Sequence, residues 1–271
     1  MIQGVYVMPH PPLMVPGIGN ADLMKDTIAA VRKIADEIAQ IQPDTIMVIS
    51  PHATVFRDFI NISEQPRFDG SFSNYGRSDI RMSFDNNLVL VREIILEAEK
   101  EGLPIGTGMK QFGLDGSLDH GCMVPLYFVR DVYPDFKLVV IPVAGLKYED
   151  LYRCGTLFQK AGSNIGCKTV VIASSDLSHR LKHDGPYGFA KEGPMFDAKV
   201  KDFVEKNDVE GLMGMNDAFV YKAAMCGLPS IIMGYGSLDG YELDSSVLSY
   251  EGPYGVGYMT ARILPKGAKH D

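Results

Sequence analysis

The sequence has little positive charge: 26 lysine and arginine residues stand against 34 aspartate and glutamate residues, and the formal net charge is −8. A protein that binds the phosphate backbone in general needs a basic face. No cluster of lysine and arginine interleaved with aromatic residues occurs in the chain. We therefore expect no nucleic-acid partner.

Long apolar runs are also lacking, and none approaches the roughly 20 residues of a membrane-spanning helix. The N-terminal stretch Met-Ile-Gln-Gly-Val-Tyr-Val has no basic start of the kind that opens a secretory signal. These two absences lead us to expect no membrane partner and a cytoplasmic location.

Cysteine is scarce, and no Cys-x-x-Cys pair occurs. The four cysteines are scattered along the chain, at Cys122, Cys154, Cys167 and Cys226. This spacing is typical of reduced thiols in a cytosolic protein and not of a disulfide framework.

No linker, low-complexity segment or internal repeat interrupts the 271 residues, of which 46% are hydrophobic. Such a length and composition suit one large domain with a sizeable core. We predict a single domain over residues 1–265, followed by a flexible tail at 266–271 that contains His270.

Short β-branched runs alternate with amphipathic stretches along the chain. Strands separated by crossover helices predict an α/β fold, a single domain with a mostly parallel central sheet covered by helices on both faces. Two details are also predicted: an antiparallel pairing of Phe59–Ser63 with Asp79–Phe84, and one continuous helix over Asp217–Gly234. The main strands are predicted at Ile2–Met8, Thr45–Ser50, Leu138–Val143 and Thr169–Ser174, with further strands at Ser246–Tyr250 and Val256–Ile263.

Histidines follow three of the predicted strands. His10 comes after the first strand, His52 after the second, and His179 after the strand that ends at Ser174. In open α/β sheets, ligands bind beyond the carboxyl ends of the strands, so these rings can converge although they are distant in sequence. Neutral imidazole is a common metal ligand and general base. Taken alone, each would be read as a loop histidine, but the three together favour a functional site.

Two other histidines carry less information. His120 precedes a predicted helix, where Asp119 is a candidate cap, and the spacing leaves open whether His120 belongs only to this cap or also lines the cleft. His183 is interpreted as an exposed loop residue, because Gly185-Pro186 disfavours a helix there.

Five segments in order carry a resemblance to a known family. The sequence resembles the LigB-like superfamily, named for the β-subunit of protocatechuate 4,5-dioxygenase, with the strongest likeness to dioxygenase-like proteins encoded near Memo-type and radical-SAM proteins. The segments are Met8-Pro-His-Pro-Pro12, Ser50-Pro-His52, Leu118-Asp-His-Gly-Cys-Met-Val-Pro-Leu126, Ser174-Ser-Asp-Leu-Ser-His179 and Ser249-Tyr-Glu-Gly-Pro-Tyr-Gly-Val-Gly-Tyr258.

The resemblance implies a class III extradiol dioxygenase that opens a catechol-like aromatic ring. Active members bind Fe(II) through two histidines and a carboxylate, with coordination positions left open for substrate and O₂. By resemblance, His10 and His52 are the metal ligands, His179 is the catalytic base, and His120 is a second catalytic histidine near the substrate. Relatives commonly associate, which leaves a homodimer open.

The third ligand is where the sequence departs from the family. Ring-cleaving relatives carry a glutamate in a late helix, whereas this chain reads Lys222-Ala-Ala-Met-Cys-Gly-Leu228. Memo-like relatives use a cysteine at this step, which makes Cys226 the candidate, with Met225 beside it. The alternatives are that Cys226 is a small buried hydrophobe, or that a carboxylate comes from Asp176, Glu242 or Glu251.

A thiolate ligand changes the expected metal. Sulfur favours Zn or Cu and makes oxygen activation at iron less secure. The sequence thus leaves open an Fe(II)-dependent extradiol dioxygenase, a Memo-like metal-binding protein with a redox or scaffolding role, and a zinc hydrolase.

Overall fold

The computed structural model describes residues 1–108 and 117–268. Its centre is a six-stranded sheet in the order β7-β2-β8-β1-β10-β9, in which β7, β2, β8 and β1 are parallel to one another and the last two strands join antiparallel. The strands are β1 (Ile2–Met8), β2 (Thr45–Ser50), β3 (Ile60–Asn61), β4 (Arg67–Phe72), β5 (Arg77–Asp85), β6 (Ile105–Gly106), β7 (Lys137–Pro142), β8 (Thr169–Ser174), β9 (Tyr241–Glu251) and β10 (Tyr258–Ala268).

Helices cover both faces of the sheet, which confirms the predicted fold class. Side chains alternate between two cores: in β2, Met47 and Ile49 pack on one face, and Ile46 and Val48 on the other. All six residues of β2 are buried, as a strand covered on both sides requires. The helices are α1 (Lys25–Ile41), α2 (Leu88–Glu101), α3 (His120–Val132), α4 (Tyr148–Asn164), α5 (Glu192–Lys206), α6 (Val209–Met213), α7 (Asp217–Ala223) and α8 (Leu228–Gly236).

The strand pairing predicted between Phe59–Ser63 and Asp79–Phe84 is wrong. β3 pairs in parallel with β6, and β5 forms an antiparallel hairpin with β4 instead. The hairpin is favoured because a short turn through Gly76, whose φ is +80°, joins its strands directly. It packs over α3, where Gly70 of β4 lies against Met123.

The continuous helix predicted over Asp217–Gly234 is also wrong. The chain leaves the helix at Ala224, which takes a left-handed φ of +52°, and helix resumes at Leu228 as α8. Pro229 has no N–H and so fits the first turn of α8 better than a helix interior. Carbonyls freed by the break accept other donors: Ser178 Oγ bonds to Ala223 O at 2.7 Å.

The C-terminal strand is longer than predicted. β10 continues to Ala268, where Gly267 and Ala268 pair with Glu242 and Tyr241 of β9, so 266–268 belong to the strand and not to a tail. Residues 269–271, including His270, lie outside the described residues. Within the described part of the chain, no helix combines the length and the apolar character needed to cross a membrane.

Candidate metal centre

Three neighbouring parallel strands end at one level, and each delivers a potential ligand two residues later. Met8 of β1 pairs with Ser174 of β8, and Ile49 of β2 pairs with Ala173 of β8. His10, His52 and Asp176 follow the ends of β1, β2 and β8. The convergence expected of His10 and His52 at the carboxyl edge of the sheet is therefore present, and Asp176 joins them there.

His10 is held in one orientation. Its side chain is buried, its backbone N–H donates to Asp176 Oδ1 at 3.0 Å, and its Nδ1 lies 2.8 Å from Ser174 Oγ. Ser174 Oγ itself donates to Gly121 O at 2.6 Å, so the hydroxyl is left to accept from Nδ1–H of His10. This tautomer leaves the Nε2 lone pair of His10 free to bind a metal.

Two further donors face His10 Nε2. His52 Nε2 lies 3.0 Å away and Cys226 Sγ 3.5 Å away, and the three donor atoms lie within 4.8 Å of one another. Metal–nitrogen and metal–sulfur bonds of about 2.0–2.3 Å can join donors so spaced. A set of two imidazoles and one sulfur therefore fits a divalent metal ion.

The histidines of this group are neutral near pH 7. Burial lowers the pKa of His10 well below its ordinary value, and the three neighbouring histidines lower it further. Burial is also the main cause that lowers the pKa values of His52 and His120. Neutral imidazole is the form that binds metal. Burial raises the pKa of the Cys226 thiol, so a bound cation is what would hold this sulfur as a thiolate.

Cys226 does not pack inside a helix. It lies in the break between α7 and α8, largely buried, and its Sγ also contacts Asp176 O at 3.6 Å. Met225 Sδ, by contrast, accepts from the Leu228 N–H at 3.4 Å and is not one of the three converging donors. The geometry thus favours Cys226 over Met225 as the sulfur donor.

Of the carboxylates considered, Asp176 alone adjoins this centre. Its Oδ2 lies 3.6 Å from His10 Nε2, and burial raises its pKa to about 7, although the His10 N–H bond works against that shift. Glu251 Oε2 accepts from the N–H and hydroxyl of Thr27 instead. Glu242 is exposed and pairs with Gly267 at the far end of β10.

His120 combines the two roles that its sequence position left open. It is the first residue of α3, whose cap is Asp119, and the Asp119 side chain accepts from the Cys122 N–H at 3.2 Å. Its ring centroid also lies 4.2 Å from that of His52. On its other side the ring borders a cavity of about 740 Å³ beneath the β4–β5 hairpin.

His179 lies near the metal centre without being one of its three donors. Its Nε2 is buried and has no hydrogen-bond partner among the described residues. Burial, followed by the charge of His52, lowers its pKa to about 4, so the ring is neutral and able to accept a proton. The backbone N–H of His179 donates to Ala224 O at 3.3 Å. His183, four residues later, is exposed, which confirms the prediction made for it.

A buried aspartate that the sequence reasoning missed holds the loop carrying His179. Asp197 Oδ1 accepts from the Ser178 N–H at 2.8 Å, and Oδ2 accepts from the Tyr250 hydroxyl at 2.6 Å. Asp197 lies on the apolar face of α5 with Val200 and Val204. A carboxylate at a position where the helical spacing predicts an apolar residue could have identified Asp197 as a buried polar group. Ser174 begins the segment that ends at His179, but nothing in the sequence assigns its hydroxyl to His10, because the two residues are 164 positions apart.

Gly257→Ala is expected to destabilise the protein by about 1–3 kcal/mol, because overpacking forces side chains and backbone to shift. A Cβ at Gly257 would lie 2.0 Å from Asp197 Oδ2. Gly267→Ala is the matched control in β10, the strand that follows Gly257, since its Cβ would meet nothing within 4 Å. Urea unfolding of both variants measures the difference. Equal free energies of unfolding would contradict the tight fit at Gly257.

Comparison with known proteins agrees with this architecture. A family model described as the catalytic LigB subunit of aromatic ring-opening dioxygenase matches residues 4–261. The Clostridium acetobutylicum protein CA_C1420 is 37% identical over 268 residues, covering 97% of this chain but 57% of that relative, so this chain spans little more than half of the relative's length.

A solved structure shares the fold. The crystal structure of an uncharacterized Escherichia coli protein, JW3007, matches with a TM-score of 0.68 at 13% sequence identity, over 97% of this chain and 99% of that one. Because the family model spans nearly the whole sequence, the chain belongs to the LigB family.

Proposed function

We propose that this protein is a non-haem, Fe(II)-dependent extradiol-type dioxygenase that opens a catechol-like aromatic ring. The observation that carries the proposal is the convergence of His10, His52 and Cys226 on one point of the sheet edge, with His120 and His179 beside it. Membership of the LigB family supports this reaction class over unrelated metal chemistry.

The protein's own residues would hold the metal and handle protons. His10, His52 and Cys226 would bind the ion, and Asp176 is the carboxylate within reach of the same site. When bound, the metal would supply a Lewis acid with positions for the substrate oxygens and O₂.

His179 and His120 would act on the substrate. His179 has a neutral ring and an unpartnered Nε2, and would take the proton of one catechol hydroxyl. His120 opens onto the large cavity and would hydrogen-bond to the substrate, which fixes the orientation of the ring.

The sulfur of Cys226 supports a second candidate function. Thiolate prefers zinc or copper to iron, so a Memo-like protein that binds one of these metals for a redox or scaffolding role, without ring cleavage, is the alternative. The two candidates differ in the metal retained and in the consumption of oxygen.

The test is to measure the metal content of the purified protein and then load it anaerobically with Fe(II). An EPR spectrum with nitric oxide, before and after catechol is added, reports open iron positions, and an oxygen electrode reports turnover. A high-spin iron–nitrosyl signal that changes with catechol, together with oxygen uptake, supports the dioxygenase. Retained zinc or copper without oxygen uptake supports the alternative, and the absence of any bound metal overturns the site.

Cys226→Asp is expected to shift metal preference towards iron, because a carboxylate is a harder ligand than a thiolate. Competition between Fe(II) and Zn(II), followed by metal analysis, measures the shift. Cys226→Ala is the matched control, which removes the donor without replacing it and is expected to retain less of both metals. An unchanged preference in Cys226→Asp, with full retention in Cys226→Ala, would exclude Cys226 as a ligand.

A further inference from the structure

The turn of residues 252–257, between β9 and β10, is hydrogen-bonded to the loop that carries His179. Leu177 N–H donates to Gly257 O, and Gly257 N–H donates to Ser178 O, both at 2.8 Å. These two bonds fix the backbone on either side of Gly257 against the loop. They therefore hold the next residue, Tyr258, beside the segment that leads to His179.

The register of the sheet also places Tyr258 at the metal centre. β10 pairs antiparallel with β1, and Val7 lies opposite Ala261. His10 is three residues beyond Val7, and Tyr258 is three residues before Ala261, so the same register brings His10 and Tyr258 level. Tyr258 therefore stands at the edge of the sheet where the metal donors converge.

The hydroxyl of Tyr258 faces this centre. Burial is the main cause that raises the pKa of Tyr258, which is 3% exposed. Charges on neighbouring side chains raise this pKa further, in the order Asp176, Tyr254, Tyr187 and Cys226. A charge shifts a pKa strongly only at short range, so the hydroxyl lies close to Asp176 and Cys226.

These neighbours surround the donors of the metal centre. Asp176 Oδ2 lies 3.6 Å and Cys226 Sγ 3.5 Å from His10 Nε2. Tyr187 is exposed, and its ring centroid lies 5.0 Å from that of His179. The hydroxyl that they share as a neighbour is thus near both the metal donors and the ring beside His179.

Buried hydroxyl groups normally have a hydrogen-bond partner. The Tyr250 hydroxyl donates to Asp197 Oδ2 at 2.6 Å, and the Tyr235 hydroxyl donates to Val204 O at 3.2 Å. In the part of the chain that the structure describes, no hydrogen bond joins the Tyr258 hydroxyl to another residue. This O–H group is therefore available to donate to a ligand of the centre.

We propose that Tyr258 is a further substrate-binding residue, whose hydroxyl donates a hydrogen bond to an oxygen of the diol at the metal centre. This inference rests on the proposed function, because it takes a catechol to bind there. His179 would take the proton of one catechol hydroxyl, and negative charge would remain on the oxygen. A hydrogen bond from Tyr258 would stabilise that charge.

The test measures the binding of 4-nitrocatechol to protein that is loaded with Fe(II) and kept anaerobic, so that no ring is opened. The visible absorption of this catechol shifts when a hydroxyl ionises, and it reports both affinity and ionisation. Tyr258→Phe keeps the buried ring and is expected to bind about tenfold or more weakly, since a hydrogen bond to a charged group contributes that much. The bound catechol is also expected to be less ionised. Metal content is expected to stay at the wild-type value, because Tyr258 is not one of the three donors.

Tyr6→Phe is the matched control, and it is expected to leave the affinity unchanged. Tyr6 of β1 is 1% exposed and packs in the same apolar core, but the charges that act on its pKa are those of Glu37 and Arg262. Wild-type affinity in Tyr258→Phe would overturn the proposal, as would an equal loss in both variants. Loss of metal in Tyr258→Phe, or no binding of 4-nitrocatechol to the wild type, would overturn it too.

Oxygen uptake with catechol, measured on the same preparations, separates this inference from the proposed function. Uptake by the wild type, with unchanged 4-nitrocatechol affinity in Tyr258→Phe, would support the dioxygenase and overturn the role of Tyr258. Weaker binding in Tyr258→Phe, without oxygen uptake by the wild type, would support the role of Tyr258 and overturn the dioxygenase.

Discussion

His10→Ala is expected to abolish metal binding. The variant removes a donor whose Nε2 lies 3.0 Å from His52 Nε2 and 3.5 Å from Cys226 Sγ, so two ligands remain where a stable site needs three or more. Loss of an outer hydrogen-bond partner costs roughly 10–100-fold in metal affinity, and loss of a direct ligand is expected to cost more. Competition with a chromogenic chelator measures the affinity.

Two companion variants make this result specific. Ser174→Ala keeps all three donors but removes the hydroxyl that orients His10 Nδ1 and donates to Gly121 O, and a loss of roughly 10–100-fold in metal affinity is expected. His52→Ala removes a ligand that is more exposed than His10, so metal loss in this variant cannot be attributed to a damaged core. If His10→Ala and His52→Ala both kept wild-type affinity, the metal centre would lie elsewhere.

His179→Ala is expected to keep the metal and lose turnover. His179 is outside the group of three donors, so the metal content should stay at the wild-type value. Proton transfer by a positioned base contributes roughly 10²–10⁴-fold, and kcat is expected to fall by that factor. Metal analysis and oxygen uptake on the same preparation separate the two effects.

The control is His183→Ala, four residues along the same loop, where the ring is exposed and contacts Phe189. It is expected to leave both the metal content and kcat unchanged. Loss of metal in His179→Ala would make His179 a ligand, and wild-type kcat would remove it from the mechanism.

The central strands were predictable to the residue at β2 and β8. Each has four consecutive apolar residues between a threonine and a serine, and such a run is typical of a strand that is buried on both faces of a sheet. The end of α2 was predictable as well, because Gly102 takes the left-handed φ that closes the helix.

The break before Cys226 was not predictable from periodicity. Val220 and Ala223 of α7 and Ile231 of α8 keep a helical spacing across it, and alanine at 224 is a strong helix former. The break depends on a tertiary contact, since Ser178 and His179 donate to carbonyls that a continuous helix would use itself. Sequence reasoning therefore identified Cys226 but placed it inside a helix.

The histidine cluster was predictable because its members follow parallel strands, and such strands end at one edge. What local sequence could not indicate is the direction in which the His10 ring points. That depends on Ser174 and Gly121, which are 53 residues apart and meet only in the folded chain.

The break between α7 and α8, which carries Cys226, is hydrogen-bonded to the loop that carries His179. Gly227 N–H donates to Asp176 O, and His179 N–H donates to Ala224 O. The segment that carries Cys226 therefore cannot move without breaking its hydrogen bonds to the loop that carries His179. An ion captured by Cys226 would thus also restrain His179, and by thermodynamic reciprocity a ligand that orders His179 would tighten the hold on the ion.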